Sequence, residues 1–185
     1  MKDIIVLYPV LGSGHLMSIV KLGKLIVTQH PSFSITILIL TPSNKNTNNK
    51  DTTLSPQKHY IASVSATFPS INFHYIPPIS LPTTLLTHLI TFEIPPQSYH
   101  HIDNILQFIS KITNLKVVIL DFFTYSAYQI ATKLEISTYF YYTSCAIALA
   151  TFLYLPTLHQ NAKETNSGSS HATSNSRFAK ESYNI

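Results

Sequence analysis

The chain has 185 residues, 45% of them hydrophobic and 11% charged, which is enough to bury a sizeable core and excludes wholesale disorder. The formal charge of +4 arises from 12 Lys and Arg against 8 Asp and Glu, with no basic run, so no nucleic-acid footprint is present. The single cysteine, Cys145, excludes an internal disulfide framework and suits a reducing, cytoplasmic setting.

The first element is Asp3–Tyr8 (DIIVLY), nearly continuously apolar and rich in β-branched residues. That composition predicts a strand covered on both faces, as in a parallel sheet. Pro9–Gly14 reads as a loop. From His15 the period changes: Leu16, Ile19, Val20, Gly23 and Ile26 follow helical spacing, and Pro31 ends the helix. Ser34–Thr41 is a second buried strand. Pro42–Ser55, rich in Asn, Thr and Lys, reads as a polar loop. A short helix is predicted around Lys58–Ser65 and a third strand at Ile71–Ile76. An apolar stretch, Leu85–Phe92, lies between Pro82 and the pair Pro95–Pro96.

Ser98–Ile112 then shows helical spacing through Ile102, Ile105, Leu106 and Ile109. Lys116–Leu120 (KVVIL) is a fourth strand, ending at Asp121. A helix over Tyr125–Leu134, a fifth strand over Thr138–Tyr142 and a helix over Cys145–Leu155 complete the series. Strand–helix alternation of this kind predicts an α/β fold: a doubly wound, mostly parallel, Rossmann-like sheet with right-handed crossovers. Residues 161–185 are polar, small and aperiodic, a composition that predicts disorder.

Two segments invite other readings. The N-terminal apolar run faintly resembles a signal peptide, but one Lys beside Asp3 makes a poor basic region. The uncharged stretch from Ile136 to His159 is long enough to span a membrane, yet Thr138, Thr143, Ser144 and Pro156 interrupt it. Strand followed by helix accounts for it better, so no stable membrane insertion is expected.

Ligands of open α/β sheets gather at the carboxyl ends of the strands. His15 follows the first strand there, and Asp121 ends the fourth. Those two strands commonly lie side by side, so the residues can meet despite their separation. Imidazole titrates near neutral pH and can accept a proton, while a carboxylate on its other nitrogen fixes the tautomer. Equally, His15 can simply begin one helix and Asp121 cap the next. The Gly12–Ser13–Gly14 turn is neither a full G-x-G-x-x-G nor a P-loop; it fits a tight turn that lets a ligand approach the backbone. Neighbouring His100 and His101 point apart on a helix, and one cysteine cannot build a thiolate zinc site, so no metal centre is expected. Ser13 and Ser144 lack a G-x-S-x-G setting.

Three blocks, VLYPVLGSGHLMSIVKLGKLI, VVILDFF and TYFYYTSCAIALATFLYLP, resemble the N-terminal domain of plant family-1 UDP-glycosyltransferases, closest to the branch acting on flavonoids, chalcones and related phenolics. The likeness runs from about Met1 to Gln160. It implies a GT-B architecture, of which residues 1–160 would form the acceptor-binding, Rossmann-like half. It further implies an inverting O-glycosyl transfer from a UDP-sugar, UDP-glucose above all, to a small phenolic acceptor. By the resemblance, His15 is the base and Asp121 its supporting carboxylate. Ser13 and Thr143 contact the donor sugar, and Val10 and Phe123 line the acceptor pocket. No cofactor beyond the co-substrate is implied.

There are departures. Ser18 stands where many members have proline, and Lys21 where a glutamate is common. The chain has no Trp, so the Trp-led donor block with its H-C-G-W-N-S segment is missing. Without a donor-binding C-terminal domain, these residues are expected to bind UDP-sugar poorly and to transfer no sugar alone. The alternative is a non-catalytic module that binds small phenolics. An unrelated nucleotide-binding α/β protein is a weaker third reading.

Overall fold

The computed structural model describes residues 2–40, 42–43, 54–80 and 90–180. Part of the expected loop Pro42–Ser55 (44–53) and part of the apolar stretch Leu85–Phe92 (85–89) lie outside the described residues. The chain divides into two compact units, Met1–Thr143 and Ser144–Ile185.

The first unit is built on a parallel sheet of five strands: β1 (Asp3–Tyr8), β2 (Phe33–Ile39), β4 (Ile71–Tyr75), β6 (Asn114–Asp121) and β7 (Ser137–Tyr141). Their order is β4-β2-β1-β6-β7, so β1 lies at the centre with β6 beside it, as the sequence predicts. Two-residue strands β3 (Pro42–Ser43) and β5 (Ile79–Ser80) pair separately in parallel. They are too short to leave a periodic signal in the sequence.

Helices cover both faces. On one face lie α1 (Ser13–Gln29) and α2 (Leu54–Thr67). On the other lie α3 (Ile90–Ile112), a 3-10 segment η1 (Phe122–Ala127) and α4 (Tyr128–Lys133). This explains the unbroken apolar run of β1. Its Leu7 packs with Leu16, Ile19 and Val20 under α1, while Val6 and Tyr8 pack with Ile102, Leu106 and Ile130 under α3 and α4. The Tyr8 phenol takes a polar partner in that core, the Ser98 hydroxyl at 2.9 Å. Burial pushes the phenol well above its ordinary pKa, so it stays a neutral hydrogen-bonding group.

The α1 helix lies close to the sheet at Gly23, where a Cβ would stand 3.2 Å from Leu7 Cδ1 and 3.5 Å from Ile35 Cγ2. Several elements differ from their expected bounds. The α3 helix runs through Pro95 and Pro96, where the sequence places a break. The predicted helix over Tyr125–Leu134 is a 3-10 turn from Phe122 followed by the short α4. One extra residue on β6 shifts its register against β1, because Ile4 pairs with Leu115 and Ile5 with Val117. A one-residue offset exchanges the faces of all that follows. Past Lys116, Val118 and Leu120 therefore join the α3-side core, while Val117 and Ile119 pack on the α1 side.

The second unit contains α5 (Ala146–Lys180), which runs through Pro156 and on into the polar segment after Gln160. Ile147, Leu153 and Tyr154 on it are exposed. Among the described residues no helix is long and apolar enough to cross a membrane.

Candidate functional site

Asp121 ends β6 on the α1 face of the sheet. Its carboxylate is fully buried, which would be costly for an unpaired charge. Both oxygens are partnered: Oδ1 accepts the Phe123 N–H at 3.1 Å and Oδ2 lies 2.7 Å from His15 Nδ1. The first bond makes Asp121 the N-cap of η1. Thr124 adds a further tie at that corner, its one hydroxyl proton shared between the Asp121 carbonyl at 2.9 Å and the Tyr8 carbonyl at 3.2 Å. These bonds join the ends of β1 and β6 and hold the carboxylate toward α1.

His15 stands in the first turn of α1, and its side chain is 27% exposed. A carboxylate can only accept, so Nδ1 carries the ring proton and donates it to Asp121. Nε2 then keeps its lone pair, and it has no hydrogen-bond partner among the described residues. Thr143 Oγ1 lies 3.1 Å from Nδ1, a second acceptor of the same proton. The Phe123 ring meets the imidazole edge-on, with centroids 5.9 Å apart, and Phe122 and Tyr142 extend the aromatic contacts behind it. Such a group can accept a proton at Nε2 while the buried carboxylate stabilises the cation that forms.

The structure thus brings together four of the six residues singled out in the sequence: His15, Asp121, Thr143 and Phe123. Ser13, exposed at the start of α1, makes no hydrogen bond to that group. Val10 is buried and lines a crevice of only about 10 Å³ with Leu11, Leu16 and Gln57, room for about one water. A groove of about 450 Å³ lies elsewhere, on the α3 face, between residues such as Asn72, His74, Asn104 and Phe108. Among the described residues no cluster of three or more His, Cys, Asp or Glu could hold a metal.

Sequence reading missed Thr124 and the pair Ser18–Tyr141. A Thr hydroxyl often bonds the backbone carbonyl three residues earlier, a local habit that could have flagged Thr124 beside Asp121. Ser18 and Tyr141 are 123 residues apart and meet only through the fold.

Gly12 controls how the chain enters α1. Its φ of 137° and ψ of 139° lie where a residue with a Cβ is strained, although an added Cβ would have room, 3.6 Å from His15 Cδ2. Gly12→Ala should therefore cost about 1–3 kcal/mol through the backbone alone, read as a lower midpoint in urea unfolding. An unchanged midpoint would show that the loop relaxes.

No protein-family profile matches the chain. UDP-glycosyltransferase 1 of Pueraria montana var. lobata is 51% identical over 168 residues, covering 87% of this chain and 35% of that protein. Isoflavone 7-O-glucosyltransferase 1 of Glycine max is 47% identical over 166 residues, covering 86% and 35%. The structure of Phytolacca americana UGT2 complexed with UDP-2fluoro-glucose and pterostilbene matches with a TM-score of 0.72 at 26% identity, over 86% of this chain and 35% of that one. The chain therefore spans about a third of the length of the relatives it matches. In sequence and in fold it corresponds to the N-terminal part of the plant UDP-glycosyltransferases.

Proposed function

We propose that these residues form the acceptor-side half of an inverting O-glycosyltransferase, moving glucose from UDP-glucose to a hydroxyl of a small phenolic such as a flavonoid. The observation that carries this reading is the 2.7 Å contact between His15 Nδ1 and the buried Asp121, which leaves Nε2 unpartnered among the described residues. The names of the relatives support the substrate class.

In this reaction Nε2 takes the proton of the acceptor hydroxyl. The oxygen's electron pair forms a bond to the anomeric carbon of glucose. The bond from that carbon to the UDP oxygen breaks, its pair leaving with UDP, and the configuration inverts. Asp121 holds the tautomer and balances the imidazolium. Thr143 and Ser13 contact the sugar, and Phe123 borders the acceptor. Residues 1–160 act as the acceptor-binding domain, and the chain works in the cytoplasm. The donor's diphosphate needs anion-binding groups, commonly at a helix N-terminus, in a donor half that these 185 residues do not supply. Alone they should transfer nothing, because orientation of both reactants supplies much of an enzyme's acceleration.

The test is a chimera that joins the chain to the C-terminal part of a relative. With UDP-glucose and an isoflavone, chromatography should show a glucoside from the chimera and none from the 185 residues alone. A folded chimera that makes no glucoside from a panel of phenolics would overturn the reading.

A further inference from the structure

Asp121 and Tyr141 are register partners on β6 and β7, so their side chains leave the same face of the sheet, toward α1. Each reaches the same helix. Asp121 bonds His15, and the Tyr141 hydroxyl lies 3.0 Å from Ser18 Oγ, both groups half-buried. His15 and Ser18 are three residues apart, so they are neighbours on one side of the first two turns of α1. Thr143, two residues after Tyr141, returns to His15 at 3.1 Å. The start of α1 is thus gripped at two points, one turn apart, by adjacent strand ends.

Leu16 and Ile19 seat this stretch of α1 on the core. Gly12, its N-cap, makes no side-chain capping bond, and Ser13 and Gly14 are exposed. The Tyr141 ring is packed against the α1-side core, which gives its hydroxyl a fixed origin. We infer that Tyr141 and Ser18 are positioning residues: their hydrogen bond sets the rotation of the start of α1, and so keeps His15 Nδ1 on Asp121. The inference builds on the reading of His15 as the base.

The experiment is ¹⁵N NMR of the histidine-labelled 185-residue chain, with His15→Ala assigning the His15 ring nitrogens. The unaltered chain should show one dominant tautomer, protonated at Nδ1. In Tyr141→Phe and in Ser18→Ala the two nitrogen shifts should move toward each other as the tautomers mix. Ser18→Thr, which keeps a hydroxyl, should restore the original pattern. A merely structural pair would lower the melting temperature of both variants and leave the tautomer unchanged, which would overturn the inference. Wild-type shifts in both hydroxyl-deleting variants would do the same. Should Tyr141→Phe fold poorly, Ser18→Ala tests the bond alone. The readout is independent of turnover, so a chimera without transferase activity would sink the base role of His15 and not this result.

Discussion

Asp121→Asn in the donor-completed enzyme should slow transfer by roughly 10⁴-fold while leaving the fold intact. The reason lies in how the two carboxylate oxygens are used. Oδ1 accepts the Phe123 N–H, and Oδ2 faces His15 Nδ1. An asparagine that keeps its carbonyl on Phe123 must turn its NH₂ group toward Nδ1. Nδ1 then becomes the acceptor, the ring proton moves to Nε2, and the base is blocked at the nitrogen that should take the acceptor's proton. Turned the other way, the NH₂ group faces the Phe123 N–H, and two donors meet in a site with no solvent access. His15→Ala should lose roughly 10²- to 10⁴-fold, the usual worth of a general base. The pair of variants is informative together, because groups that act as a unit are not additive. The double variant should be little slower than the worse single one. Losses that multiply would show that His15 and Asp121 act separately, and an Asp121→Asn enzyme with normal kcat would end the dyad reading.

The parts of this site that were legible in the sequence rest on local pattern. The run Asp3–Tyr8 is apolar at every position after Asp3 because both faces of β1 are covered, and such runs signal a central parallel strand. A parallel sheet with β1 at its centre places the next strand of the second half beside it, which brought His15 and Asp121 within reach on paper. The bulge at Lys116 was not legible. The extra residue is a charged one near the start of the strand, where it reads as the strand's boundary and not as a bulge inside it. Yet it decides which face Asp121 presents. The extension of α3 through Pro95 and Pro96 was hidden for a different reason. Two prolines argue for a boundary on local grounds, and packing of Ile102, Leu106 and Ile109 farther along the helix carries no local signal at its start. Tyr141 read as one more aromatic in TYFYY. Its role depends on the pairing of β6 with β7, which no local pattern encodes.

Leu7→Ala should be the most damaging single truncation under the site, costing about 2–5 kcal/mol, or roughly 4–20 °C in melting temperature for a chain of this size. Leu7 is fully buried between the central strand and α1, and its Cδ1 defines how closely the helix sits at Gly23. The cavity left by Leu7→Ala opens beneath the helix that carries His15. Gly23→Ala on its own sets two effects against each other. Alanine gains about 1 kcal/mol of helix propensity over glycine, and its Cβ presses on Leu7 Cδ1 at 3.2 Å. In the Leu7→Ala background that obstruction is gone. The added methyl then fills part of the cavity and keeps the propensity gain. The double variant should melt above Leu7→Ala by more than Gly23→Ala raises the unaltered chain. Thermal melts of the four proteins decide it: simple additivity would mean that α1 and β1 do not share this contact in solution, and that the helix carrying His15 is seated on the sheet in some other way.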